Sequence, residues 1–508
     1  MLAKIEALAR DLKLATIQRM NASLSEAEFK KTRLLSGVYL QLHSHMLRVA
    51  IECGELTARQ LGALALLSVK YDRGYFHITT RQNVQFNWVN PWEAAKLSEA
   101  LTRIGLSSSY TAGNCVRQIT CDPTHGTSLS EVVDTAPVVK ALRNKLCFGN
   151  SLIKLPKKVK ICVWSGAEDE VLGGFHDIGI RLVENKAYVT VGGGLGRSPK
   201  VGQKLVKLST VKLLHWISSF LKVYAAAAAG HPPFRTKTLV ANLGKQAIVK
   251  LTADVASLSA SQSLHIPASG SSMVVRPASL ISWYNTESFE RWYTQNTSAH
   301  KIRGLRRVEL GCSSTFSPPA DVSASDALTL CEVAQRYSMD QIRISLRQTF
   351  ILPSVHITNL TKVFTLCSRF ELQNVVCCPG LDYCALANSR SILMAQKLAL
   401  LKTGLQIRVS GCVNACSHHH VFDVGVIGIN KAGTEAYQLV VGGSAKNRKL
   451  CRTLCKALPA YKVVGFVARF AAAIKTLRKD SFESVYQCFV RSKMRLNKVK
   501  PRTFSSGR

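Results

Sequence analysis

The chain repeats itself, and that repetition constrains its fold more than any local propensity does. Residues 75–89 (YFHITTRQNVQFNWV) align with 341–355 (QIRISLRQTFILPSV), both alternating in β fashion and both carrying Arg-Gln, as Arg81-Gln82 and Arg347-Gln348. HDIGIRL at 176–182 answers FDVGVIG at 422–428, and YVTVGGGLGR at 188–197 answers YQLVVGGSAK at 437–446. One short β segment matches by chance easily; three in the same order do not. The period is far too long for a solenoid, so the pattern predicts a duplicated unit with pseudo-two-fold symmetry. Each copy reads as a helix rich in Leu and Ala (57–69 or 325–336), an Arg-Gln strand, a second helix (93–104 or 359–370), then a mixed α/β stretch ending in a glycine turn. The expected class is α+β. A helical extension at 1–35 precedes two small halves, 36–110 and 305–370, that pair as one domain. Two larger α/β domains follow them, at 111–304 and 371–508.

At 508 residues the chain exceeds one ordinary core, which agrees with several domains. No apolar run has the length of a membrane span. The N-terminus reads as an amphipathic helix carrying Glu6 and Asp11, without the apolar block of a secretory signal. The expected compartment is the cytoplasm, where sixteen cysteines stay as thiols or bind metal rather than form disulfides. The net charge of +36 comes from basic residues scattered through the chain. With an aromatic content of 7%, that scatter argues against specific nucleic-acid binding and for anions in general: a substrate, cofactor carboxylates or an acidic partner protein.

Four cysteines form two pairs, Cys378 and Cys384 in CCPGLDYCALA and Cys412 and Cys416 in SGCVNACSHHH. Four thiolates are the ligand set of a cubane [4Fe–4S] cluster, and both pairs lie in turn-forming sequence. Zinc, disulfides and ordinary buried cysteines are the rival readings, although a spacing of five exceeds that of the usual structural zinc pair. The pairs occupy only the second copy. The first copy has TAGNCVRQITCDPTHG there, with Arg117, so one half holds thiols and the other cations. Cys451 and Cys455 form another pair, expected on one face of a helix beside Leu450 and Leu454 as core residues. Gly192-Gly193-Gly194 lacks the acidic residue or lysine of a nucleotide loop and is expected to allow a close backbone approach.

Taken together, ITTRQNVQFNW (78–88), AGNCVRQIT (112–120), LPKKVKICV (155–163), HDIGI (176–180), VGGGLGR (191–197), CPGLDYCALA (378–387) and SGCVNACSHHH (410–420) resemble the siroheme-dependent nitrite and sulfite reductases. The wording is nearest to the bacterial sulfite reductase hemoproteins. The resemblance implies a pseudo-two-fold fold with one composite ferredoxin-like domain and two α/β domains that hold siroheme and a [4Fe–4S] cluster. It implies Cys378, Cys384, Cys412 and Cys416 as cluster ligands, with Cys416 also axial to the siroheme iron, and Gln348 and Asn414 as cofactor contacts. It implies that Arg81, Arg117, Lys158 and Lys160 face a small oxyanion, in a six-electron reduction of sulfite to sulfide. His418, His419 and His420 are then read as the surroundings of the cluster. Lys160 favours sulfite over nitrite, since nitrite-reducing relatives usually have Asn there. The alternatives are a ferredoxin–nitrite reductase making ammonia and a precorrin-3B synthase-like relative. No flavin or NADPH segment is visible, so electrons come from a partner, either a ferredoxin or an NADPH flavoprotein subunit. The chain departs from the family at 223–238 (VYAAAAAGHPPFRTKT), where only Arg235 and Lys237 remain to hold siroheme carboxylates.

Overall fold

A computed structural model describes residues 2–149, 153–166, 171–257, 287–312, 317–431, 433–478, 485, 487 and 488. Parts of the expected 111–304 and 371–508 domains, at 258–286 and in most of the stretch beyond 478, lie outside the described residues. The chain forms two compact units: residues 1–194, 200–314 and 320–372, and residues 195–199, 315–319 and 373–508.

In the first unit, strands β1 (Val38–Leu40), β2 (His45–Ala50), β4 (Tyr75–Ile78) and β5 (Asn83–Val89) build one antiparallel sheet. Strands β11 (Thr297–Ala299), β12 (Leu305–Leu310), β14 (Gln341–Ile344) and β15 (Phe350–His356) build its counterpart. Each sheet is completed by a strand from the other half. Strand β3 (Glu55–Thr57) pairs Leu56 with Ile342, and β13 (Asp321–Ser323) pairs Val322 with Phe76. The helices that follow these exchanged strands, Ala58–Tyr71 and Ala324–Tyr337, start alike: Thr57 Oγ accepts the Gln60 N–H and Ser323 Oγ accepts the Asp326 N–H. Leu61, Leu64, Phe76 and Phe86 of one half share a core with Leu330, Val333, Ile342 and Phe350 of the other.

The β alternation predicts Arg-Gln inside a strand; it lies instead in the turn between β4 and β5, and again between β14 and β15. A reversal this tight needs a left-handed residue, and Gln82 (φ 54°) and Gln348 (φ 59°) supply it. Alternation on both flanking strands hides the break. The two glutamines also cross-link the halves reciprocally. Gln82 Nε2 donates to Ile344 O at 3.3 Å, and Gln348 Nε2 donates to Ile78 O at 2.9 Å.

The remaining sheets show the duplication most plainly. In the first unit, β6 (Thr120–Cys121), β7 (Ile161–Trp164) and β8 (Ile178–Val183) run parallel, and β9 (Lys186–Val191) and β10 (Gln203–Ser209) continue antiparallel. In the second unit, β16 (Val375–Cys377), β17 (Ile407–Ser410), β18 (Val424–Lys431), β19 (Thr434–Val441) and β20 (Arg452–Pro459) repeat that order and those directions. A long helix follows each last strand, Thr210–Ala227 and Ala460–Leu477. The repeated Asp does one job in both: Asp177 Oδ2 accepts the Lys160 N–H at 3.0 Å, and Asp423 Oδ2 accepts the Gln406 N–H at 2.9 Å.

Cys451 and Cys455 do not lie on a helix. Cys455 is within β20, and Cys451 immediately precedes it. Leu454 and Leu458 of β20, four residues apart, are both buried, as the two-residue period of a strand allows. That spacing imitates a helical face. No helix among the described residues is long and apolar enough to cross a membrane.

Candidate active site

The first unit assembles cations. Arg81 projects from the β4–β5 turn and Arg117 from the segment before β6, and Arg117 N–H donates to Val159 O, between Lys158 and Lys160. Lys160 is half-buried and Lys158 exposed, as alternation about the buried Val159 requires. Arg81 Nη1 donates to His176 Nε2 at 3.2 Å and Nη2 donates to Gln118 O at 2.5 Å. Arg117 donates to the Tyr39 hydroxyl at 2.7 Å, to Gly113 O at 2.9 Å and to Thr111 O.

Two contributors escaped the sequence reading. Arg48, on β2, donates to the same Tyr39 hydroxyl at 3.3 Å and to Gln85 Oε1 at 3.0 Å, so one phenol joins two guanidiniums. The only signal was an arginine in an otherwise apolar strand, HMLRVA. His176 appeared there only as part of a repeat. Its Nδ1–H donates to Leu172 O at 2.9 Å, which leaves Nε2 to accept from Arg81. Burial, then Arg81, pushes the His176 imidazole down to about 3, so it is a neutral prop at ordinary pH.

Among the described residues, Arg48, Arg81 and Arg117 have no carboxylate partner. Burial and the nearby Arg117 pull the Arg81 guanidinium down to about 10. Positive charge crowded with no carboxylate in ion-pair contact favours an anionic guest. Arg235, expected to hold siroheme carboxylates, is instead paired with buried Asp177 at 2.5 Å. The glycine run makes its close approach to the turn that precedes β8: a side chain on Gly193 would come within 2.8 Å of Gly174 O.

The second unit assembles thiols. Cys378 directly follows β16 and Cys412 comes one residue later after β17, past Gly411, so both loops leave the same ends of two adjacent parallel strands. Glycines let the loops touch. A Cβ on Gly411 would stand 2.7 Å from Gly380 Cα and 2.8 Å from Ser389 O. Gly411 N–H donates to Cys378 Sγ at 3.3 Å, and Asn414 donates to the Cys412 sulfur through backbone and side chain. Burial pushes the Cys378 thiol up to about 12, with Cys416 the next cause, and burial raises Cys412 too, with Cys416 and Cys384 adding. All four thiols are therefore electrostatic neighbours. Sulfurs that receive N–H donors yet resist ionisation together fit a polynuclear iron core, whose positive charge removes the penalty. Behind them His419 is buried, with Nε2 3.0 Å from His420 Nε2.

The profile of the nitrite and sulphite reductase 4Fe-4S domain matches residues 112–257 and 402–469, and that of the nitrite/sulfite reductase ferredoxin-like half domain matches 40–104 and 311–367. The chain belongs to the siroheme-dependent nitrite and sulfite reductase family. Among its relatives, sulfite reductase (ferredoxin) 2 of Mycolicibacterium paratuberculosis is 24% identical over 80% of this chain and 74% of its own. The ferredoxin–nitrite reductase of Synechococcus elongatus is 25% identical over 85% and 87%. The structure of the Mycobacterium tuberculosis NirA protein covers 97% of each chain with a TM-score of 0.78 at 18% identity, a likeness of fold. This reductase is accordingly an oxidoreductase whose cofactors are siroheme and a [4Fe–4S] cluster. Cys412 and Cys416 fall inside the matched 4Fe-4S segments, and Cys378 and Cys384 outside them.

Proposed function

We propose that the chain is a ferredoxin-dependent sulfite reductase, delivering six electrons to sulfite and releasing sulfide and water. The observation that carries this reading is the gathering of Arg48, Arg81 and Arg117 beside Lys160, with no carboxylate on the three guanidiniums among the described residues. Fixed cations offset the charge of an oxyanion and polarise the S–O bonds that must break. In this reading Arg81, Arg117, Lys158 and Lys160 meet the substrate, Arg48 and Tyr39 brace Arg117, and neutral His176 orients Arg81. Siroheme supplies an iron for the substrate and the cluster supplies single electrons when both are bound. Cys378, Cys384, Cys412 and Cys416 would hold the cluster, and Cys416, the most exposed of the four, would also serve siroheme. Asn414 steadies Cys412. Gln348, whose buried Oε1 has no hydrogen-bond partner, is a cofactor contact.

Ferredoxin is the proposed donor because the similar reductases of Mycolicibacterium and Synechococcus carry it in their names. The Synechococcus similarity also favours a second reading, reduction of nitrite to ammonia. Lys160 favours the first reading, since a second lysine beside the oxyanion suits the doubly charged sulfite better than nitrite. The test is the visible spectrum of the anaerobically purified holoprotein, titrated with each anion, followed by kcat/KM with reduced ferredoxin. Sulfite is expected to shift the siroheme bands and to be the better substrate, and Lys160→Asn to lower the sulfite-to-nitrite ratio about tenfold or more. Bands and turnover that respond to nitrite alone would establish the second reading instead.

A further inference from the structure

Neither the thiol set nor the cationic set uses Cys53, Cys121 and His125. Cys53 lies in the turn before β3, Cys121 on β6, and His125 in the loop after it, all three with at most 2% exposure. Their donor atoms lie within 4.8 Å of one another. Two sulfurs at about 2.3 Å and a nitrogen at about 2.0 Å from one tetrahedral ion would stand about 3.5–3.8 Å apart, so an ion needs only small adjustments. We propose that Cys53, Cys121 and His125 form a structural zinc site.

The histidine supplies the independent observation. Its Nδ1 lies 3.2 Å from Asp134 Oδ1, the carboxylate contact that commonly fixes the tautomer of a ligating imidazole. Its Nε2 is buried and has no hydrogen-bond partner. Glu55 Oε1 stands 3.3 Å from that nitrogen but is not among the donor atoms gathered within 4.8 Å, so Cys53, Cys121 and His125 are the three protein ligands of the site. Arg343 at 3.2 Å from Oε1 and Lys140 at 3.5 Å from Oε2 hold the Glu55 carboxylate in place. Charge agrees as well. In a chain with 67 basic and 31 acidic residues, Glu55, Asp122, Glu131 and Asp134 all border this histidine or its loop. Two sulfurs and an imidazole are soft and borderline donors, which select zinc over magnesium or calcium.

The ion would staple the Glu52–Gly54 turn of the 36–110 half to β6 and the loop beyond it. Cys53 has φ 56°, a left-handed conformation that a non-glycine residue keeps only when its surroundings hold it. The stapled segment is also the platform of Arg81, because Gln118, which accepts from Arg81, donates from Nε2 to Ile51 O at 2.7 Å.

The test is elemental analysis and zinc K-edge absorption on the anaerobically purified full chain with siroheme and cluster in place. Expected are about one zinc per chain, with two sulfur neighbours at about 2.3 Å and light neighbours at about 2.0–2.1 Å. Cys121→Ser and His125→Gln should each bring zinc to background while iron, labile sulfide and siroheme absorbance stay at wild-type levels. Three results overturn the site: no zinc together with a Cys53–Cys121 disulfide in the mass spectrum, zinc with four sulfur neighbours, or zinc unchanged in both variants. Should a variant lose every cofactor at once, the wild-type absorption edge decides alone.

Discussion

A guanidinium buried without a carboxylate is costly, and Arg81 and Arg117 are kept by neutral oxygens and one neutral imidazole instead. Arg117→Lys cannot reproduce a planar fork that reaches Tyr39, Thr111 and Gly113, so kcat/KM for the oxyanion should fall about 10²–10³-fold with the cofactor spectrum retained. Among the thiols the readings separate cleanly. Cys416→Ser should lose coupled iron, labile sulfide and siroheme absorbance, whereas Cys455→Ser, on an edge strand, should keep all three. Equal losses would contradict the ligand set. Asp72 offers a test by pH. Burial raises its carboxyl to about 6, against the N–H donors of Arg73, Asn87 and Trp88 that act to lower it. Between about 4 and about 6 the folded state holds a proton that the unfolded state has lost, so stability declines as pH rises through that window. Urea midpoints across the window should show the decline in the parent protein and flatten in Asp72→Asn.

At the scale of elements, the thiol site depends on two loops leaving adjacent parallel strands and on two glycines that let them meet. Gly411→Ala sets a methyl against Gly380 and Ser389 and should part the Cys378 and Cys412 loops. The expected outcome is loss of bound iron, measured per chain, with far-UV circular dichroism retained. The reciprocal glutamines make a parallel case. Gln82→Ala removes a donor from Ile344 O and Cys53 O and an acceptor from the Cys121 N–H, and should cost about 1–3 kcal/mol in urea unfolding. Sequence showed that Arg-Gln recurs but not that it turns, because β alternation continues on both sides of the reversal. A related ambiguity holds at Cys451 and Cys455, where a four-residue spacing of apolar residues fits one face of a strand as well as one face of a helix.

For the whole molecule, the charge of +36 is the property most open to measurement. If an acidic ferredoxin delivers the electrons, kcat/KM for that donor should fall steeply as ionic strength rises from about 0.01 to 0.15 M, where the screening length shortens from about 30 to about 8 Å. Turnover with a small uncharged reductant should change little. Rates insensitive to salt with ferredoxin would deny the basic surface a part in docking.

The duplication, the α+β class and the thiol and cation motifs were legible in the linear order of residues. Repeats, β alternation and turn-flanked cysteines are written locally, and a second copy of a pattern needs no coordinates to be seen. The exchange of β3 and β13 between halves, the joining of Arg48 to Arg117 through Tyr39, and the meeting of Cys53, Cys121 and His125 were decided only in three dimensions. Each of these brings together residues far apart along the chain, and short-range pattern carries no record of which distant segment a strand or side chain will meet.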